Sequence, residues 1–139
     1  MTMQKKNTPP SIDAWLKEAK SDPQARQEGM YLVHNGTVRQ TPKTQVRQGL
    51  DDGSQITGMT FSYDEEKVVA AIAATKAREG IFHVRVWLAD GELAVGDDIM
   101  VVLIGGDIRP RVIDALQFLV ETIKTTCVTE IEKKAAISS

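Results

Sequence analysis

The chain has 139 residues, of which 42% are hydrophobic and 26% are charged, and its formal net charge is −2. This length and composition are typical of one globular domain with a well-formed core. Lysine and arginine are dispersed along a slightly acidic chain, which argues against a nucleic-acid partner. No apolar run is long enough to span a membrane, and no secretory signal opens the chain, so we expect no membrane association.

Cys127 is the single cysteine, so neither an intrachain disulfide nor a cysteine-rich metal site can form. This cysteine usage suits the reducing cytoplasm, where we expect the protein to work. His34 and His83 have no second histidine or carboxylate at the spacing of metal ligands, and we interpret both as structural residues. We therefore expect no metal and no other cofactor.

The chain has no internal repeat and no linker, so a single domain is expected over residues 11–134. Residues 1–10 are polar and end in two prolines, which predicts a disordered leader. We expect a flexible tail at residues 135–139. The polar segment 40–55 carries proline, glycine and aspartate turn signals, and we interpret it as a mobile surface loop.

Hydrophobic periodicity and turn residues predict the order of the elements. A helix capped by Ser11 comes first and ends before Pro23. We then expect, in chain order, a strand within 30–40, a strand at 56–63, a helix at 64–79, strands at 81–89 and 93–95, and a strand from Asp98 that leads into a last helix. This order predicts an α+β protein in which helices pack on a largely antiparallel sheet.

Residues 99–124 contain the strongest pattern, a β-branched run that breaks at Gly105 and Gly106 and turns into an amphipathic helix. The apolar stripe of that helix contains Val112, Ala115, Leu116, Leu119, Val120 and Ile123. Free backbone N–H groups, the helix dipole and Arg109 meet beside the two glycines, which predicts an anion pocket and makes both glycines candidate substrate-binding residues. The alternative is a structural turn, because glycine is also the usual residue for a tight bend.

Several segments resemble the large, catalytic subunit of molybdopterin synthase. The similarity is carried by HNGTVRQ at 34–40, by DGELAVGD at 90–97 ahead of a valine-rich strand, and by a helix that ends in Ile123-Lys124. The resemblance implies an α/β hammerhead fold, a homodimer, and a ubiquitin-like small subunit whose C-terminal thiocarboxylate supplies sulfur. The implied reaction converts a pterin phosphate, precursor Z, into the dithiolene of molybdopterin during molybdenum cofactor biosynthesis.

The resemblance also assigns site residues. Arg39 matches the arginine of the family's Gly-x-Val-Arg motif at the substrate pocket, and Arg109 matches an arginine before the last helix that holds substrate. Lys124 matches the lysine that is regarded as catalytic. Lys133 lies two residues too late for a gap-free match to the family's second active-site lysine, and it is retained as a candidate substrate-binding residue.

Three segments depart from the family's pattern. Ile108 replaces a histidine, Leu88-Ala89 replaces a His-Arg pair, and Cys127–Ile131 replaces a Pro-x-Trp-Lys ending. These losses favour an alternative hypothesis, in which the chain is a non-catalytic relative that keeps the fold as an anion-binding or regulatory partner. An active synthase subunit remains the first prediction.

Position alone also gives plainer interpretations. Arg39 beside a polar loop is equally an ordinary surface arginine, and the helix dipole favours a solvent-facing lysine such as Lys124 near a helix C-terminus. Arg109 and Lys124 are fifteen residues apart, which is roughly 22 Å along one helix. One helix cannot bring both to one small substrate, so we expect either two sites or a pocket completed across a homodimer interface, and we favour the homodimer.

Overall fold

The computed structural model describes residues 8–42, 49 and 54–136. Most of the predicted leader, most of the predicted 40–55 loop and the last residues of the predicted tail lie outside these ranges. None of the helices within the described ranges is long and apolar enough to cross a membrane.

Three helices and six strands form the described part of the chain. The helices are α1 (Ile12–Lys20), α2 (Glu65–Lys76) and α3 (Arg109–Thr122). The strands are β1 (Met30–Thr37), β2 (Ser54–Tyr63), β3 (Ile81–Leu88), β4 (Gly91–Ala94), β5 (Asp98–Gly106) and β6 (Val128–Ala136). A 3₁₀ turn, Pro23–Gln27, follows α1, and a π-helical turn, Ile123–Cys127, joins α3 to β6.

The strands form two antiparallel sheets, and the predicted α+β class is confirmed. Sheet A has the strand order β1-β5-β3, and sheet B has the order β4-β2-β6. In sheet A, β5 is central and all its residues from Ile99 to Gly106 are buried. Its apolar run does not alternate because both faces are covered. Trp15 and Ala19 of α1 pack on one face, and α2 and α3 cover the other.

The last helix follows the predicted stripe. Val112, Ala115, Leu119 and Ile123 are fully buried, and Leu116 and Val120 pack beside them. α3 lies against β1, β5 and α2. The strand β5 and the helix α3 therefore form one continuous unit at the centre of the core, as the pattern predicts.

Strand β6 is an element that the sequence analysis missed. It pairs with β2 along its whole length, from Tyr63 opposite Val128 to Ser54 opposite Ala136. It therefore continues two residues into the segment 135–139 that was expected to be a tail. The consequence for function is direct, because β6 brings new side chains close to the end of α3.

Candidate functional site

A cavity of about 450 Å³ lies where the two sheets meet the C-terminal end of α3. We call it the Lys124 cavity. Its polar lining consists of His34, Thr37, Arg39, Glu121, Lys124, Thr125, Glu130 and Glu132. A cavity of this volume suits a small ligand.

Arg39 lies just beyond the end of β1, and backbone hydrogen bonds hold it on both sides. The N–H of Val38 donates to the carbonyl oxygen of Asp97 at 2.9 Å. The N–H of Ile56 donates to the carbonyl oxygen of Gln40 at 2.7 Å. The backbone around Arg39 is therefore fixed between the two sheets, while its exposed side chain lines the cavity.

Lys124 is carried by the π-helical turn at the end of α3. Three threonine hydroxyls in this region donate to the carbonyl four residues earlier, at 2.6 to 2.8 Å: Thr122 to Phe118, Thr125 to Glu121, and Thr126 to Thr122. Such back-bonds bend helices. π-helical turns are rare, and they occur frequently at functional sites.

Glu130 forms an ion pair with Lys124 inside the cavity. Lys124 Nζ and Glu130 Oε2 are 2.6 Å apart, and the side chains are 29% and 6% exposed, respectively. Glu130 is opposite Phe61 in the β2–β6 register, so its carboxylate is on the inner face of sheet B. A buried carboxylate is tolerated when a cation compensates it, and Lys124 provides that charge.

The charge of the cavity is mixed. Arg39 and Lys124 provide two cations, while Glu121, Glu130 and Glu132 provide three carboxylates. The cavity is therefore not a uniformly positive anion site. An anion that binds there must be recognised by directed hydrogen bonds from the two cations.

A family model described as MoaE protein matches residues 6–126 of the chain. The chain belongs to the MoaE protein family. The match includes Arg39, Arg109 and Lys124 and ends just before β6 begins. No curated protein matches the chain.

Solved structures share the MoaE fold at low sequence identity. Molybdopterin synthase from Staphylococcus aureus has a TM-score of 0.71 and 15% identity, and the match covers 96% of this chain and 94% of that one. A molybdopterin biosynthesis MoaE protein from Burkholderia ambifaria has a TM-score of 0.68 and 16% identity, over 96% and 88% of the two chains. A complex of subunits 1 and 2 of molybdopterin-converting factor from Helicobacter pylori has a TM-score of 0.63 and 17% identity, and the match covers 90% of this chain and 80% of that one.

His34 is a cavity residue that the sequence analysis treated as structural. It is on β1, and its Nε2 lies 3.8 Å from the point that a Cβ atom on Gly36 would occupy. Burial first, and the charge of Lys124 second, lower the pKa of His34. The signal in the sequence was the period of two, because residues 34 and 36 of a strand share a face.

The anion pocket predicted at Gly105 and Gly106 of this MoaE protein is wrong. A Cβ atom on Gly105 would collide with Oε1 of Glu28 and with the ring of Tyr31, and one on Gly106 would stand 2.7 Å from Val112. The space above both glycines is thus filled by the chain itself. The glycines permit close packing within β5, whereas the alternative interpretation was a structural turn.

The start of α3 has its own internal partners as well. Asp107 accepts a hydrogen bond from the N–H of Ile108 at 2.7 Å, and its other oxygen contacts Arg111 at 2.7 Å. α3 has no side-chain N-cap, because Ile108 occupies the cap position. A carboxylate therefore already stands at the place where an anion was expected.

Two further candidates lie away from the Lys124 cavity. Arg109 is exposed at the first turn of α3, at the opposite end of the helix from Lys124. Lys133 is opposite Gly58 on the outer face of sheet B, where it is ion-paired with Glu92. Because adjacent strand residues face opposite sides, Lys133 points away from the cavity side of Glu130 and Glu132. The structure therefore brings together Arg39 and Lys124 only, out of the predicted set.

No group of three histidine, cysteine, aspartate or glutamate side chains within residues 8–42 and 54–136 is arranged to hold a metal ion. Cys127 is buried, and its sulfur lies 3.5 Å from the hydroxyl of Thr126. Among the described residues, the polar groups that line the Lys124 cavity are two cations, three carboxylates, one imidazole and two threonine hydroxyls.

Proposed function

We propose that this chain is the large subunit of a molybdopterin synthase and works in molybdenum cofactor biosynthesis. It transfers sulfur from the thiocarboxylate of a ubiquitin-like small subunit to precursor Z. Membership of the MoaE family supports the biosynthetic role. The observation that carries the proposal is that Arg39 and Lys124, two of the three residues matched by motif, come from distant parts of the sequence and line one cavity.

The two cations have distinct tasks in this proposal. Precursor Z carries a cyclic phosphate, and the planar guanidinium of Arg39 is suited to bind phosphate oxygens in pairs. Lys124 provides the charge that draws the thiocarboxylate to the pterin and stabilises negative charge that develops during transfer. Glu130 orients Lys124 within the cavity through the ion pair at 2.6 Å.

A small-subunit partner is supported by the Helicobacter pylori neighbour, which is a complex of subunits 1 and 2 of molybdopterin-converting factor. In our proposal, the C-terminal tail of the small subunit enters the Lys124 cavity from solvent. Its terminal group is anionic, so Lys124 must exchange Glu130 for the incoming group or bind both. We propose that the reaction takes place in the cytoplasm.

We further propose a homodimer in which Arg109 of one copy completes the site of the other. Arg109 is exposed, and it does not line the Lys124 cavity of its own chain. Since a guanidinium at this position is part of the family's pattern, a second copy is the simplest source of a second phosphate-binding arginine.

The alternative function is a non-catalytic MoaE-like partner. One observation favours it: the Lys124 ammonium is already compensated by a buried carboxylate. Ile108 and Ile131 add to this, because each stands where the family has an ionisable side chain. In that case, the fold and the partner surface serve binding alone.

Reconstitution distinguishes these two functions. The full chain is mixed with a thiocarboxylated small subunit and precursor Z, and the dithiolene product is measured. We expect turnover by the parent, loss of turnover in Lys124→Gln, and normal turnover in Lys133→Gln, whose side chain is on the other face of sheet B. Thermal unfolding of each variant verifies that it is folded. If the folded parent forms no product under conditions in which an authentic large subunit turns over, the enzymatic function is excluded and the non-catalytic function is supported.

A further inference from the structure

His34 stands at the boundary between two cavities. It lines the Lys124 cavity, and it also lines a second, more open cavity of about 750 Å³ along α3. The second cavity includes Arg78, Asp114 and Phe118. An imidazole at this position reaches a guest in the Lys124 cavity on one side and solvent on the other. Such a position suits a group that transfers protons between the Lys124 cavity and solvent.

The imidazole of His34 is available to contact a bound molecule. Within the described part of the chain, no hydrogen bond or ion pair holds His34. It is on the α2 and α3 side of sheet A, opposite Val102 in the β1–β5 register. Both ring nitrogens therefore remain available, one to accept a proton and the other to donate one.

Charged groups face His34 from each element packed around it. The turn after α2 contributes Arg78, α3 contributes Asp114 and Glu121, and the π-helical turn contributes Lys124. The end of β1 and β6 contribute Arg39, Glu130 and Glu132. Burial and Lys124 together favour the neutral imidazole, which is the form that accepts a proton.

We propose that His34 is the proton-transfer residue of the Lys124 cavity, where it accepts a proton from an O–H or N–H group of a phosphate-bearing guest and later returns it. In the first step the O–H or N–H bond of the guest breaks and an imidazole N–H bond forms. In the return step that N–H bond breaks and the guest regains the proton, so nothing is oxidised or reduced. This inference rests on the proposed function, because the guest is the substrate of that reaction.

The choice of residue follows from ordinary acid–base chemistry. Proton transfer is most effective when the ordinary pKa of the group is near the working pH, and histidine meets this condition best. The chain has two histidines. His83 is opposite Gly105 in the β3–β5 register, on the α1 side of sheet A, and it does not line the cavity. His83 is therefore a matched control.

The test compares His34→Gln with His83→Gln in the reconstituted reaction between pH 5 and 8. We expect the parent to lose activity as the pH falls and His34 becomes protonated. His34→Gln should lower turnover about 10²-fold or more. Its pH profile should also lack the acidic limb, which is the loss of activity at low pH. His83→Gln should keep both the turnover and the limb. An acidic limb that persists in His34→Gln overturns the inference and leaves the proposed function intact.

A second measurement does not depend on turnover. The imidazole resonances of the parent are titrated by NMR with and without inorganic phosphate and are assigned with the two variants. Phosphate bound beside Arg39 stabilises the imidazolium, so the midpoint of His34 should move to higher pH while that of His83 stays fixed. An unmoved His34 midpoint overturns the inference, even if His34→Gln fails to fold or the parent proves inactive.

Discussion

At the scale of single residues, the ion pair between Lys124 and Glu130 changes the expected character of the lysine. By its position in the sequence, Lys124 is a solvent-facing side chain near a helix end, and its truncation would scarcely affect folding. The structure shows instead that it is 29% exposed and compensates a carboxylate that is 6% exposed. Lys124 is therefore tied to stability as well as to the proposed chemistry.

Lys124→Ala should lower the free energy of unfolding by about 1–3 kcal/mol, because it removes the ammonium group that is ion-paired with the buried Glu130 carboxylate. The double variant Lys124→Ala/Glu130→Gln should recover most of this loss, since the buried charge is then gone. Urea unfolding at pH 7 measures both. Glu92→Gln is the matched control, because the Glu92–Lys133 pair is exposed and its loss should hardly change stability. Equal losses in the single and double variants would show that the pair does not act in this way.

At the scale of elements, the end of sheet A near Gly105 holds a partly buried polar cluster. Tyr31, Gly105 and His83 form one row across β1, β5 and β3. The Tyr31 hydroxyl donates to Glu28 Oε2 at 3.1 Å. Within the described residues, Glu28 Oε1 and His83 Nε2 are buried and have no hydrogen-bond partner. Burial is the main cause that raises the pKa of Glu28 and lowers the pKa of His83.

As the pH falls from 7 to 5, the lowered pKa of His83 decreases the stability of the fold, whereas the raised pKa of Glu28 increases it. The contribution of His83 is complete above its ordinary pKa of 6.5 and is lost as the pH falls through its lowered folded value. The contribution of Glu28 is complete below its ordinary pKa of 4.5 and is lost as the pH rises through its raised folded value. His83→Gln should therefore reduce the loss of stability on acidification, and Glu28→Gln should increase it. Unfolding curves at several pH values measure the slopes, and identical slopes in the parent and both variants would contradict this account.

The sequence predicted well those elements whose patterns are local. The apolar stripe of α3 and the apolar run of β5 predicted the positions of these two elements. β5 nevertheless continues through Gly105 and Gly106, where the sequence predicted a break. β6 was missed because its inner face carries Glu130 and Glu132 on an otherwise apolar sheet surface. For Glu130, the ion pair with Lys124 compensates the buried charge, and no local sequence pattern reveals that contact.

The candidate site was predictable only in part. Arg39 and Lys124 followed from the motif resemblance, and the cavity joins them. The anion pocket at Gly105 was a local argument, and it failed because Glu28, from a distant segment, fills the space. His34 was interpreted as structural because the period of two places it on one face of β1 without showing which groups that face contacts.

At the scale of the whole molecule, β5 sets the distance between the two arginines. Thr37 is opposite Asp98 and Met30 is opposite Gly106, so β1 and β5 run side by side in opposite directions. Arg39 follows one end of this pair and Arg109 follows the other. β5 has nine residues, which separates its ends by roughly 26 Å at ~3.3 Å per residue. One phosphate cannot bridge that distance within a single chain.

A shared site across a homodimer makes a prediction that no single-chain site shares. Arg109→Ala and Lys124→Gln should each be inactive alone, because each destroys one component of every site. When the two variants are unfolded together and refolded, mixed dimers contain one site with both residues intact. About a quarter of the parent activity should then return, since half of the dimers are mixed and half of their sites are complete in a two-fold dimer.

The measurement is turnover with the thiocarboxylated small subunit, and the control is the same mixture made from Lys124→Gln and Glu130→Gln. These two positions are in contact within one chain. A mixed dimer of these variants has no site with both residues intact, so its activity should not exceed that of the two variants measured separately. If activity recovers only in the mixture of Arg109→Ala and Lys124→Gln, Arg109 of one copy must complete the Lys124 cavity of the other copy. Activity that does not recover in that mixture, although mass spectrometry detects mixed dimers, would mean that Arg109 acts elsewhere and that each cavity works with the groups of its own chain.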